Sequence, residues 1–310
     1  MTLRHWFALA VLTLLPLKAS ADEASSVRFV MPPWPGVTVK TEIAAQLLEP
    51  LGYRSQTLEM SSTIGYRTLE TGDSDVFLAG WLPAQQESYD AAKARDAIVD
   101  LGNNVRGARM GFAVPGYVHE AGITSATQLA DPANRERFEA TFYSIESGST
   151  VGDFIHRAVD RDTYGLGDWK ILESSTPGML SAVDAAYQQK RWLVFYGWTP
   201  HWMALKYDMV ILDDPEQVYG PHEGRSDIRT IVRRDFSEAN PNLMRFFDQF
   251  RLSAEAQSAL IRDYGLREQA ASKVARRWLQ QHPDQVARFL EGVETRAGEP
   301  ALPAVRESLQ

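Results

Sequence analysis

Cysteine is absent from all 310 residues. No disulfide can staple the chain, no thiolate can serve as nucleophile or metal ligand, and no acylated cysteine can tether it to a bilayer. Its apolar core must therefore hold it together unaided, and a hydrophobic share of 44% is ample for that. Positive charge is also in short supply. With 32 Lys and Arg against 40 Asp and Glu the net charge is -8, which disfavours nucleic acid as a partner and mildly favours a cationic solute. Acidic surfaces equally serve solubility alone, so this bias narrows the field without choosing within it. Catalytic signatures are missing too: no G-x-S-x-G elbow, no H-E-x-x-H, no Walker loop and no dinucleotide G-x-G-x-x-G. His119-Glu120 and His156 are available for acid–base work, but nothing of triad or metal-site character surrounds them. The expectation is a protein that is not an enzyme and needs neither cofactor nor metal.

Long apolar runs are confined to the start. Arg4 and His5 precede the stretch Trp6 to Leu17, and Ala19-Ser20-Ala21 follows as a small-residue cleavage pattern, which together predict a signal peptide spanning residues 1–21. The alternative, an uncleaved anchor, suffers from the shortness of the stretch and from Pro16 within it. No other segment approaches the length of a membrane span. The exported product is expected to be a free, soluble, periplasmic protein, not membrane-embedded.

Beyond the leader, short apolar runs alternate with helical patterns, as in sheets covered by helices. Val27 to Met31, Arg54 to Met60, Asp75 to Gly80 and Arg109 to Val114 read as strands, with a helix over Val37 to Leu51. A second series holds strands at Ala140 to Ile145, Trp169 to Leu172, Trp192 to Tyr196 and Met209 to Leu212, and helices at Thr150 to Val159 and Met179 to Gln189. Ile228 to Val232 reads as a returning strand, Asn242 to Val293 as three or four amphipathic helices, and the tail from Ala297 as loose. No internal repeat or low-complexity tract appears. The length and the two series predict an α/β chain in two lobes, 22–113 plus 216–310 and 114–215, each a central β-sheet flanked by helices. Chain crossings near Ala113 to Pro115 and Leu212 to Tyr219 would make a two-segment hinge on which the lobes close over a small solute.

Aromatic residues recur where strands end. Trp34 sits in Met31-Pro-Pro-Trp-Pro-Gly36, where three prolines fix most of the backbone and hence the indole. Trp81 follows Asp75 to Gly80, Tyr117 follows Ala113-Val-Pro-Gly116, and Trp198 lies in Tyr196-Gly-Trp-Thr-Pro-His-Trp-Met203. Any one of these rings could be core packing, as Trp169, Trp192 and Trp278 are taken to be. Four at strand ends, each beside Pro or Gly, suggest a cage at the edge where open α/β sheets bind ligands. Such a cage suits a quaternary ammonium ion, whose charge is drawn to ring faces without needing a hydrogen bond. A second feature is Ile145-Glu-Ser-Gly-Ser-Thr-Val-Gly-Asp153, running into a helix. Gly148, Ser149 and Thr150 there form either an ordinary helix cap or an anion site, and the two are compatible. His201 could donate to a carboxylate or be merely structural.

These residues resemble the glycine betaine, choline and carnitine substrate-binding proteins of ABC importers. The resemblance runs from about Val27 to Val293. It is most specific in Gly197 to Met203 with Lys206-Tyr-Asp208 and Asp213-Asp-Pro215, in Asp75 to Trp81, and in Tyr143-Ser-Ile-Glu-Ser-Gly148. It implies a monomeric two-lobed periplasmic binding protein that serves an ABC permease and its ATPase. By position, Trp34, Trp81, Tyr117 and Trp198 match the family's aromatic box, Gly148, Ser149 and Thr150 its polar loop, and His201 a histidine that meets the ligand carboxylate in some members. Two departures stand out. Choline-binding members tend to carry an acidic residue soon after the first tryptophan, where this chain has Pro35-Gly36, and Ser147 stands where the family commonly has proline. The first departure favours a carboxylate ligand, glycine betaine ahead of carnitine and choline. The competing readings are a periplasmic enzyme acting on such compounds and a receptor that reports to a signalling partner.

Overall fold

A computed structural model describes residues 25–310. The expected leader, residues 1–21, lies outside the described residues. Nine strands form one hydrogen-bonded sheet, β1 (Ser26–Met31), β2 (Arg54–Glu59), β3 (Val76–Leu82), β4 (Ile98–Val114), β5 (Thr141–Ser144), β6 (Lys170–Glu173), β7 (Val194–Thr199), β8 (Val210–Ile211) and β9 (Arg225–Arg233). Their order is β2-β1-β3-β9-β4-β7-β5-β6, with β8 also on β4. Parallel pairs β1–β2 and β1–β3 make one half, and parallel pairs β5–β6 and β5–β7 make the other.

The halves are joined by the two long strands, β4 and β9, which run antiparallel to each other. β4 pairs with β9 from Ile98 to Arg109 and with β7 from Arg109 to Ala113, so Arg109 marks the passage from one half to the other. Sequence patterning detects only the second stretch of β4. Before Arg109 the strand carries Asp100, Gly102, Asn103, Asn104 and Gly107 and slips register three times against β9, which erases the alternation that betrays a strand. The result is a two-lobed α/β fold whose two sheets merge into one ladder at the joint.

Helices cover both faces. The helix Pro35–Leu48 buries residues on nearly every side, among them Val37, Val39, Lys40, Ile43, Ala44 and Leu47. It does so because the sheet lies on one flank while the helices Ala254–Ile261 and Ala271–Gln281 pack on another. The tail after Ala297 is a helix, Ala301–Ser308, and not the loose segment expected. Ala301 and Val305, one turn apart, are both fully buried, and Pro303 falls in the first turn, where the missing N–H costs no intrahelical bond. No helix among the described residues is long and apolar enough to cross a membrane.

A candidate ligand site between the two halves

The site begins with two tryptophans from the first half. Trp34 immediately follows the Pro32-Pro33 pair after β1 and is the residue before the Pro35–Leu48 helix, in an extended conformation with φ -109°. Trp81 lies near the end of β3, opposite Ile228 of β9, and its backbone N–H donates to Gln85 Oε1 at 3.1 Å. From the second half, β7 contributes Trp198. The ladder sets Met110 of β4 directly opposite Trp198, and Phe112 opposite Tyr196, so all four share one face of the sheet. Tyr196 stacks on Trp198 with ring centroids 5.1 Å apart and donates its hydroxyl to Met110 Sδ.

These rings enclose a cavity of about 40 Å³ of space open to the centre of a water molecule, lined by Trp34, Trp81, Met110, Tyr196 and Trp198 together with Thr150. Both halves contribute, and they touch: the Trp34 indole N–H donates to Glu146 Oε1 at 2.7 Å, across the cleft. Glu146 Oε2 is buried and without a partner among the described residues, and burial pushes the pKa of the carboxyl upward against the bonds that hold it ionised. Among the described residues no lysine or arginine stacks on Trp34, Trp81, Tyr196 or Trp198. The cation–π contacts among the described residues fall on other rings.

Of the residues singled out in the sequence, the structure brings Trp34, Trp81, Trp198 and Thr150 together. Tyr117 is not with them. Its hydroxyl donates to the Arg191 carbonyl at 2.6 Å, its ring packs on Tyr187 at 5.8 Å, and Lys190 Nζ sits 4.6 Å from its centroid. The reason is local: Gly116 opens a short helix, Gly116–Glu120, which turns the ring toward the helix Thr176–Gln188 and away from the cleft. Ser149 is engaged as a cap, accepting from the Gly152 N–H and donating to the Glu146 carbonyl, and Gly148 supplies the φ of +76° needed just before it. Neither borders the cavity, whereas Thr150 and Val151 do.

His201 is also displaced from its expected position. It is 2% exposed and lies behind Trp198, with ring centroids 4.8 Å apart, and in front of Trp202. Its Nδ1 accepts from the Met203 N–H, which assigns the proton to Nε2, and burial lowers its pKa to about 3. It is a neutral buttress for an indole, outside the cavity wall.

Several wall residues have no sequence signal of their own. Met110 and Tyr196 are found only through the β4–β7 register. Lys40, Ser62 and Gln257 belong to helices whose periodicity marks them as surface or core. Lys40 is 1% exposed and donates to Asn104 Oδ1 at 2.6 Å. Gly36 has no free space beside it, since a Cβ there would lie 2.8 Å from Gln257 Nε2. No group of three or more His, Asp or Glu that could hold a metal occurs among the described residues.

Two lobes that meet over a ring-lined cavity define a solute receptor of the periplasmic binding protein architecture. Residues 25–281 match the model for the substrate-binding domain of ABC-type glycine betaine transport systems, and the chain belongs to that family. The glycine betaine/carnitine transport binding protein GbuC of Listeria monocytogenes is 35% identical over 177 residues, a match spanning 56% of each protein. Among solved structures, an ABC-transporter choline binding protein in complex with choline superposes with a TM-score of 0.88 at 27% identity, covering 93% of this chain and 99% of that one. Lactococcal OpuAC, closed on glycine betaine, gives 0.75 at 26% identity over 86% of this chain and 99% of that one. The protein is thus a substrate-binding receptor of the ABC glycine betaine and choline transport class.

Proposed function

We propose that the protein is a periplasmic receptor that closes on glycine betaine and delivers it to an ABC permease and its ATPase. The lobes assigned to it are 22–113 plus 216–310 and 114–215. The observation that carries the ligand reading is the convergence of three indoles from both halves on one cavity, with no lysine or arginine among the described residues stacked on their faces. A trimethylammonium head offers methyl groups and a diffuse positive charge, which ring faces satisfy and water-like donors do not. Desolvated contacts of this kind contribute up to about 2 kcal/mol each, so three supply roughly 6 kcal/mol before ordering costs. A micromolar dissociation constant corresponds to about -8 kcal/mol, which leaves a modest share for polar contacts at the other end of the ligand.

Glycine betaine is favoured over choline by the start of the Pro35–Leu48 helix. Gly36 presents no side chain to receive a ligand hydroxyl, and the Gln257 amide lies against that position. The likeness to a choline-bound receptor keeps choline as the second reading. Titration calorimetry with glycine betaine, carnitine and choline tests the order: glycine betaine should bind tightest, and tighter binding of choline refutes the carboxylate argument. Recovery of each compound unchanged after incubation is expected, since turnover would mean an enzyme. Loss of labelled betaine uptake on deleting the gene separates transport from signalling.

A further inference from the structure

Lys40 is an anomaly in a cavity for a cation. Its helix is packed on several sides, and Lys40 lines the cavity together with Trp34 and Trp81. Among the described residues its hydrogen-bond partner is the neutral Asn104, whose amide is itself fixed by donating to the Leu78 carbonyl and to Thr230 Oγ1. Among the described residues no carboxylate pairs with it. Buried charges are ordinarily paired, because an isolated one costs several kcal/mol. Two more polar groups in the same wall, Ser62 Oγ and Gln257 Oε1, are buried with no partner among the described residues. Ser62 can donate its hydroxyl proton, and an ammonium has two N–H groups beyond the one given to Asn104.

We propose that Lys40, with Ser62 in the same cavity wall, is the seat of the ligand's anionic end, so that the receptor selects a zwitterion whose carboxylate lies a few bonds from a quaternary nitrogen. The proposal rests on the cage reading, which supplies the onium end. Opposite charges then stand on opposite halves: Lys40 in the cavity wall and, bonded across the cleft to the Trp34 indole N–H, Glu146. A ligand with an onium and no anion offers Lys40 no acceptor and, below the lysine's lowered pKa, meets an uncompensated ammonium, which is how such a wall discriminates against choline.

Burial lowers the pKa of Lys40 to about 7. The other titratable group in the cavity wall is the Tyr196 phenol, and Tyr66, on the helix Ser62–Thr71, has its hydroxyl near Gly80. Burial pushes both far up, so they stay neutral. Asp100 and Arg229 on the sheet beneath pair with each other at 2.8 Å. A carboxylate arriving at Lys40 raises its pKa, so binding a zwitterion at mildly alkaline pH draws in a proton.

The test is calorimetry on the full chain with glycine betaine and with choline, at about pH 8 and in two buffers of different ionisation enthalpy. Wild type should take up part of a proton on binding glycine betaine and none on binding choline. Lys40→Met should abolish that uptake, weaken glycine betaine by about tenfold or more, and leave choline unchanged or tighter. Equal losses for both ligands, or glycine betaine binding without proton uptake in wild type, overturn the Lys40 seat. Proton uptake is read on the unmodified protein, so a poorly folded variant does not rescue or sink the idea. Trp198→Ala tells the two readings apart: binding lost there but untouched in Lys40→Met removes the seat and keeps the cage, whereas binding untouched in Trp198→Ala removes both.

Discussion

Tyr117 follows β4 and Trp198 lies near the end of β7, both sit beside glycine, and both belong to clusters of rings. Their faces have different fates. Tyr117 and Tyr187 share the ammonium of Lys190, at 4.6 and 4.9 Å, so that cluster is a cation site already filled from within the chain. Trp198 packs on His201 and stacks with Tyr196, and it shares a cavity with Trp34 and Trp81; among the described residues no lysine or arginine sits over its ring. The difference shows that an aromatic residue at a strand end becomes a binding element only when the ring face is left unsatisfied by its neighbours and rigidly backed.

The sharpest way to break this comparison is to remove one ring from each cluster. Trp34→Ala and Trp198→Ala are each expected to weaken glycine betaine at least about tenfold, since each removes a desolvated cation–π face and opens the box to water. Tyr117→Ala is expected to leave affinity within about twofold, because the ring has no share in the cavity. Calorimetry on the three variants reads this directly. A Tyr117→Ala loss as large as that of Trp198→Ala would mean that the second cluster joins the site when ligand is bound.

Glu146 comes next. Replacing it with alanine leaves the Trp34 N–H without its acceptor in the closed arrangement, a cost of about 1–3 kcal/mol, or roughly five- to a hundredfold in affinity. Glu146→Gln retains an acceptor and should recover part of that loss. The charge has its own signature. Burial raises the pKa of this carboxyl, so as pH falls through that raised value the carboxylate is neutralised and its attraction for an onium is lost. Affinity should therefore decline on the acid side in the wild type and stay flat in Glu146→Gln; parallel pH profiles would show that Glu146 remains in one protonation state throughout.

His201→Ala should have a smaller effect and a revealing one. The sequence suggested a carboxylate partner, which would make the loss larger for glycine betaine than for choline. The buried imidazole acts through the indole in front of it, so the two ligands should lose affinity together, by about 1 kcal/mol or somewhat more, as the cavity left behind Trp198 lets the ring tilt. Because its pKa lies at about 3, His201 should add nothing to the pH dependence between neutrality and mild acid. A selective loss for glycine betaine would return His201 to the ligand.

What was legible in the sequence was what has a local cause. Short buried strands such as Val76–Leu82, and helices such as Thr150–Asp160, advertise themselves by period and by caps. The three tryptophans stood out because proline and glycine punctuate strand ends. What could not be read depended on distant partners. Met110 joins the site by a register that pairs it with Trp198, and Lys40 by helices more than two hundred residues away that pack over its own. Tyr117 shows the converse failure: the local pattern was right for a strand end, but the next turn of helix aimed the ring at Tyr187.

The smallest expected effect sharpens the comparison from the other cluster. Tyr117→Phe keeps the ring and deletes only the hydroxyl that donates to the Arg191 carbonyl at 2.6 Å. Stability should fall by about 1 kcal/mol in denaturant unfolding while glycine betaine affinity is unchanged. Lys190→Ala frees the faces of Tyr117 and Tyr187 at a cost of roughly 0.5–1 kcal/mol, the worth of an exposed cation–π contact. If an unsatisfied face alone made a site, that variant would acquire a second, weak site for tetramethylammonium. The expectation is that it does not, because the pair lacks the enclosure that Trp34 and Trp81 bring from the opposite half. Appearance of saturable binding there would show that desolvation by a second lobe is dispensable, and that the free ring face is the whole of the difference between the clusters.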